Sequence, residues 1–214
     1  MIYERVSTQD PIRQGDIFRN IPRVEFSLSS LTVLGTDNEL RQVTWRDALQ
    51  ETESPDAVAA VLPIKRVDAL VITQDCDAAR GEYIYLCQID NYLVATGQNQ
   101  PPKEAKAWQS LIMRMARTNP RLFYLPSDPE IGLPDRMAAD FRVVLRVPRL
   151  DLLNMLDFRV ARLNEVAAQH FREMFSQFFR RYAYNEWYPL DKEEFQAYAN
   201  QIRGESVGPY PWQK

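Results

Sequence analysis

A short polar stretch, Gln74-Asp75-Cys76-Asp77, holds the residues of this sequence best suited to chemistry. Two carboxylates two positions apart can converge on one hard cation, so Asp75 and Asp77 are candidate Mg²⁺ ligands, with Asp16 as a third oxygen donor. In the alternative interpretation, Asp75 and Asp77 accept backbone N–H groups and hold a turn. Both are candidate binding residues. We expect the structural role for Asp75 and the functional one for Asp77. Apart from Mg²⁺, we expect no cofactor.

Cys76 is also a candidate nucleophile, because it lies in the same polar stretch. A reactive thiol needs a nearby cation or a helix N-terminus to stabilise the thiolate, and the two flanking carboxylates disfavour it. The one histidine, His170, lies beside an apolar stripe, where a packing role is common. Two cysteines and one histidine form no zinc-binding pattern, and glycine-rich phosphate loops are absent.

Arginine and threonine side chains near this stretch are candidates for contacts with a phosphate group or a partner. Arg66 and Thr73 lie at either end of the preceding apolar run, and together with Cys76 they are the candidate catalytic residues of a nuclease. Arg19 and Arg80 are further candidate binding residues, because they place positive charge near the same segment.

Two apolar runs, 69–73 and 83–89, flank the polar stretch and must position it. Both are rich in β-branched and aromatic residues, which predicts a strand, a loop and a second strand. Neither strand has a polar face, so we expect the hairpin to lie in the middle of the core. The loop then leaves a rigid strand and meets solvent, which favours a functional site there.

The rest of the chain predicts short strands first and helices later. The first expected strand, 16–20, is ended by Ile21-Pro22, because proline cannot donate to a ladder. The other expected strands are 23–33, 40–45, 122–125 and 140–147. The expected helices are 104–118, 159–182 and 191–203. Residues 46–56 predict a helical turn or a loop. This order indicates an α+β fold, a small bent antiparallel sheet or SH3-like barrel covered by C-terminal helices. We expect a single domain over 1–214, with a barrel-like core at 10–95 and a mixed extension at 104–203.

Composition indicates a soluble globular protein. The formal net charge is −3, with an acidic first half and a slightly basic second half, so the first half is not a general nucleic-acid surface.

No run approaches the roughly 20 apolar residues of a membrane span, and the N-terminus lacks the charged and apolar regions of a secretion signal. We therefore expect a cytoplasmic protein with no membrane association. We also expect Cys76 and Cys87 to be free thiols, because Cys87 should lie opposite Ala69 while Cys76 lies in the loop.

Three segments in order, Gly15-Asp16-Ile17, LVITQD at 70–75 and YIYLCQI at 83–89, resemble the first half of MazF/PemK-type growth-inhibitor toxins. The resemblance covers residues 12–95 without the insertion at 27–66. It implies an SH3-like β-barrel and an RNA partner. The strand ending in Gln74-x-Cys76-Asp77 otherwise resembles segments of bacterial proteins without an assigned function.

The positions that serve catalysis in the toxin family differ in this chain. Where the family has an Arg-Pro pair, this sequence has Val67-Asp68, with Arg66 one residue out of register, and the family's Thr or Ser falls near Tyr83. RNA cleavage by 2′-hydroxyl attack needs a proton acceptor and a cation over the phosphate. The sequence therefore favours a non-catalytic module that binds a protein or nucleic-acid partner in the bacterial cytosol, with a metal-dependent or toxin-like nuclease as the alternative. The sequence leaves open whether the chain forms a homodimer.

Overall fold

The computed structural model describes residues 2–34, 39–51 and 58–180. Contacts between residues divide the chain into two compact units, 1–178 and 179–214, and the features described below lie in the first, apart from Phe179 at the end of the last helix. No helix in the described ranges is long and apolar enough to cross a membrane. The helix expected at 191–203 lies outside the described residues.

A seven-stranded antiparallel sheet forms the centre of the fold. Its strand order is β1-β10-β2-β6-β7-β9-β8, and a smaller sheet has the order β4-β3-β5. The strands are β1 Tyr3–Glu4, β2 Asp16–Val24, β3 Leu31–Leu34, β4 Leu40–Val43, β5 Ala60–Val61, β6 Ile64–Val71, β7 Tyr83–Asn91, β8 Leu122–Leu125, β9 Met137–Pro148 and β10 Arg159–Leu163. The large sheet ends at β1 and β8, so the described residues form no closed barrel.

Helices cover both faces of the large sheet, which confirms the α+β class. The helices are α1 Trp45–Glu51, α2 Asp75–Arg80, α3 Tyr92–Thr96, α4 Ala105–Thr118, α5 Arg149–Leu153 and α6 Glu165–Phe179. Phe171 of α6 is buried in the core cluster of one face, and Leu152 of α5 is buried in the cluster of the other. Leu111 of α4 packs against Tyr92 in a third cluster.

The β6–β7 pair lies in the middle of the sheet, as the two apolar runs predict. The connection is the short helix α2 instead of a loop. Asp75 and Asp77 lie in its first turn and Arg80 in its last, an order that complements the helix dipole. Cys87 pairs with Leu70, one position from the expected Ala69, and both cysteines are free.

Pro22 does not end the first strand, contrary to expectation. β2 runs through it to Val24, and Pro22 lies opposite Arg66. A bulge between Phe18 and Ile21, with Asn20 at a φ of 56°, redirects the strand before the proline. Consequently the expected second strand at 23–33 does not exist as one element.

The helix expected from Arg159 begins only at Glu165, because residues 159–163 form β10. Asn164 starts the helix, since its Oδ1 accepts a hydrogen bond from Ala167 N at 2.9 Å. The expected end at 182 lies outside the described residues. By contrast, α4 and β8 have almost the predicted bounds.

Candidate functional site

Asp16 lies at the centre of a buried ion cluster, which corrects its assignment as a metal ligand. Its side chain is fully buried, and it accepts hydrogen bonds from Arg159 Nη1 at 2.8 Å and from Arg162 Nε and Nη2. Arg162 of β10 lies opposite Asp16 of β2 in the ladder. In the neighbouring pair, Leu163 N donates to Gly15 O, and hydrogen-bonded pairs alternate with non-hydrogen-bonded ones. The Arg162–Asp16 pair is therefore non-hydrogen-bonded, the type with the closer side chains.

The two arginines of this cluster also hold the N-terminal segment. Arg159 donates to the carbonyl oxygens of Ser7, Asp10 and Pro11, and Arg162 donates to Pro11 O at 2.8 Å. Burial by itself would lower the pKa of Arg162, but the hydrogen bond and charge of Asp16 outweigh it, so the pKa is raised. Every contact of the cluster is internal, and its role is structural.

The expected Mg²⁺ site is not assembled. Asp75 Oδ1 accepts a hydrogen bond from Gln14 N at 2.8 Å, in agreement with a structural role for Asp75. Asp16 is occupied by arginines. Across the described residues, no group of three or more His, Cys, Asp or Glu side chains is arranged to hold a metal ion.

Asp77 lines an open cavity of about 490 Å³ beside α2, which also meets Thr73, Glu82, Tyr85 and Phe175. The Thr73 hydroxyl accepts a hydrogen bond from Tyr85 N at 2.7 Å and so fastens β6 to β7. The charged residues along this cavity are acidic, which does not suit a phosphate site.

The candidate catalytic residues lie far apart. Arg66 is in the first half of β6, whereas Thr73 follows the end of this strand, and seven residues of extended chain span about 23 Å. Cys76 is exposed on α2, and Arg80 donates to its carbonyl oxygen. Arg19 forms an ion pair with Asp68 at 3.5 Å. Arg66 and Thr73 therefore lie too far apart to contact the same phosphate group.

His170 lies away from these residues, on α6. Its ring meets the ring of Phe123 edge-on, with centroids 5.9 Å apart. It lines an apolar cavity of about 510 Å³ together with residues of α4, among them Ile112 and Met113. Among the described residues that line this cavity there is no Asp, Glu, Lys or Arg side chain that would orient a reacting group.

A groove of about 490 Å³ between β2 and β9 is the site that sequence reasoning missed. Residues 22–24 of β2 and 142–147 of β9 line it. β6 already occupies one edge of β2, and β7 one edge of β9. Because consecutive residues of each strand face the groove, it follows their outer edges instead of one sheet face. We call it the edge groove.

Three arginines, Arg23, Arg142 and Arg146, make the edge groove basic. Arg142 is more than half exposed and pairs with Asp140 at 3.0 Å. The Arg146 guanidinium lies 4.0 Å from the ring centroid of Tyr83. None of the described residues that line the groove is acidic, although Glu25 beside it pairs with Arg23 at 3.7 Å. The positive charge of the groove suits an anionic partner.

A partly buried polar network holds Arg23 in place. Arg23 Nη1 donates to Gln88 Oε1, and Gln88 Nε2 donates to both carboxylate oxygens of Asp90, at 2.8 and 2.9 Å. Gln88 pairs with Asp140 at a bulge in β9. Burial raises the pKa of Asp140, and the negative charge of Asp90 adds to this, although Arg121 opposes it. Bulges often re-aim side chains at functional sites.

No protein-family model and no curated protein matches this chain. The alternation of Arg142 and Arg146 with apolar neighbours was visible in the sequence, but its partner strand is more than 100 residues away.

Proposed function

We propose that this chain is a non-catalytic protein-interaction module that binds an acidic partner segment in the edge groove. The observation that carries the proposal is the combination of two strand edges with three arginines, Arg23, Arg142 and Arg146. The wide separation of Arg66 and Thr73 favours binding over nuclease chemistry. The cytosol remains the expected compartment, because both thiols are free.

A protein partner suits the groove better than a nucleic acid. Modules that bind single strands combine a basic groove with aromatic side chains on which bases stack. The described residues that line the edge groove are aliphatic or cationic, and none of them is aromatic. Strand edges offer backbone hydrogen bonds to an extended peptide, a common mode of peptide recognition.

The SH3-like relationship remains part of this proposal. The outer edges of β2 and β9 can line one groove only if the sheet curls, since β6 and β7 lie between them. We propose that β2, β6, β7 and β9 form a barrel-like unit that is open at the edge groove.

Binding of an acidic peptide tests the proposal. The probe is a fluorescent peptide of about seven residues in which Glu alternates with Val, measured by anisotropy at two salt concentrations. We expect salt-sensitive binding that falls about ten-fold or more in a double variant, Arg142→Gln with Arg146→Gln. Arg172→Gln, an exposed arginine on α6, is the matched control and should bind like the wild type.

Two results would overturn the proposal. One is equal binding by the double variant and the wild type, with melting curves showing that both are folded. The other is tighter binding of a single-stranded oligonucleotide of the same charge, which would replace the protein partner by a nucleic acid.

A further inference from the structure

The hydrogen-bond alternation of β9 determines which of its backbone groups face the edge groove. Arg149 N donates to Glu82 O at 2.8 Å, one position beyond the Tyr83–Pro148 pair. Hydrogen-bonded and non-hydrogen-bonded pairs alternate along an antiparallel ladder. Leu145 and Val147 therefore bond to β7, whereas the N–H and C=O groups of Val144 and Arg146 point outward. No described strand pairs with this outer edge.

The same alternation makes the outer edge of β2 a poorer template for another strand. Glu25 N donates to Pro63 O at 3.1 Å, so Arg23 bonds to β6 while Pro22 and Val24 face outward. Pro22 has no N–H group. β2 therefore offers a single outward donor in the groove, that of Val24, and β9 is the better template for another strand.

We infer that the partner's acidic segment adds to the outer edge of β9 as a β-strand, hydrogen-bonded to Val144 and Arg146. This inference rests on the proposed function and specifies how the edge groove is occupied. Residues 142–147 extend about 20 Å, enough to pair with five or six residues of a partner. Main-chain bonds of this kind provide affinity, and alternate side chains provide specificity.

The side chains along β9 define the pattern that the partner must have. Exposure alternates from Arg142 to Pro148, with Arg142, Val144 and Arg146 exposed. Because alternate residues of a strand share one face, a bound peptide in which Glu alternates with Val would place its glutamates along this face, near both arginines. The same arginines oppose pairing between two copies of this chain, because charges on edge strands prevent self-association.

A substitution at one position separates strand addition from simple charge attraction. Val144→Pro removes the outward N–H group, whereas Val144→Ala removes most of the side chain and keeps the N–H group. With the Glu/Val peptide as probe, we expect Val144→Pro to weaken binding about ten-fold or more and Val144→Ala to change it much less. Melting curves establish that both variants fold.

Methylated probes give the same test with the wild-type protein. Two versions of the peptide carry N-methyl groups on alternate amides, in opposite phases, and at least one should bind about ten-fold more weakly. Equal binding of both versions and of the parent peptide would overturn strand addition. If that binding still depends on Arg142 and Arg146, the proposed function stands; if it does not, the proposed function fails as well.

Discussion

Two buried carboxylates, Asp16 and Asp140, differ in the burial of the arginines that they meet. Asp16 accepts from two buried arginines and from Arg13 N at 3.0 Å. Asp140 accepts from the backbone N, the Nε and the Nη2 of Arg142, whose side chain is 54 % exposed, and the negative charge of Asp90 repels it. Burial disfavours an ionised carboxylate unless enough donors compensate, and this raises the pKa of Asp140 above its ordinary value of 3.8.

Asp140→Asn should therefore change how stability depends on pH. A raised native pKa means that the folded protein takes up a proton at a higher pH than the unfolded chain, so the stability that this group contributes is full below 3.8 and is lost as the pH rises through the native pKa. We expect the free energy of unfolding of Asp140→Asn, relative to that of the wild type, to be highest near neutral pH and to decrease as the pH falls. Urea titrations between about pH 4 and 8 measure it.

Asp151→Asn is the matched control for this experiment, because Asp151 is exposed on α5. Its difference from the wild type, measured over the same range, is the baseline with which that of Asp140→Asn is compared. The same pH dependence for both variants would show that the pKa of Asp140 is not raised by burial.

At the scale of the elements, β2 shows how a proline can lie inside a strand. Pro22 faces Arg66 in a non-hydrogen-bonded pair, so the N–H group that proline lacks would have pointed outward. The ladder to β6 therefore loses no hydrogen bond. The next residue has the opposite orientation, because Arg23 bonds to Lys65.

A proline should be tolerated at position 22 and should be destabilising at position 23, because only the N–H group of residue 23 bonds to β6. Pro22→Ala should change the free energy of unfolding by about 1 kcal/mol or less, mainly through the unfolded chain. Arg23→Pro should lower it by about 1–3 kcal/mol relative to Arg23→Ala, because the Lys65 carbonyl loses its donor. Urea denaturation of the three variants measures both differences. Equal stability of Arg23→Pro and Arg23→Ala would contradict the assigned alternation.

At the scale of the whole molecule, the Asp16 cluster joins parts of the chain that are distant in sequence. Arg159 and Arg162 on β10 bond Asp16 and the carbonyl groups of residues 7–11, about 150 residues earlier. The cluster thus secures β10 between β1 and β2. Without it, the N-terminal segment would lose its main polar attachment to the sheet.

Asp16→Ala should destabilise the whole fold by about 3–5 kcal/mol, because it leaves two buried guanidinium groups without their anion. Chemical denaturation followed by circular dichroism measures this loss. Asp77→Ala removes an exposed carboxylate near the start of α2 and should shift the melting temperature much less. If Asp77→Ala is the more damaging of the two, the structural and exposed roles assigned here are reversed.

The sequence by itself determined the elements whose patterns are local. The span of α4, the strand β8, the central β6–β7 pair and the free thiols follow from periodicity, apolar runs and spacing, which depend on neighbouring residues. Only the tertiary structure decided that residues 159–163 form a strand, because their arginines reach Asp16 across the sheet. It also decided that Pro22 continues a strand and that β2 and β9 together form a basic groove. These features depend on which distant residues become neighbours, and a local pattern carries no information about that.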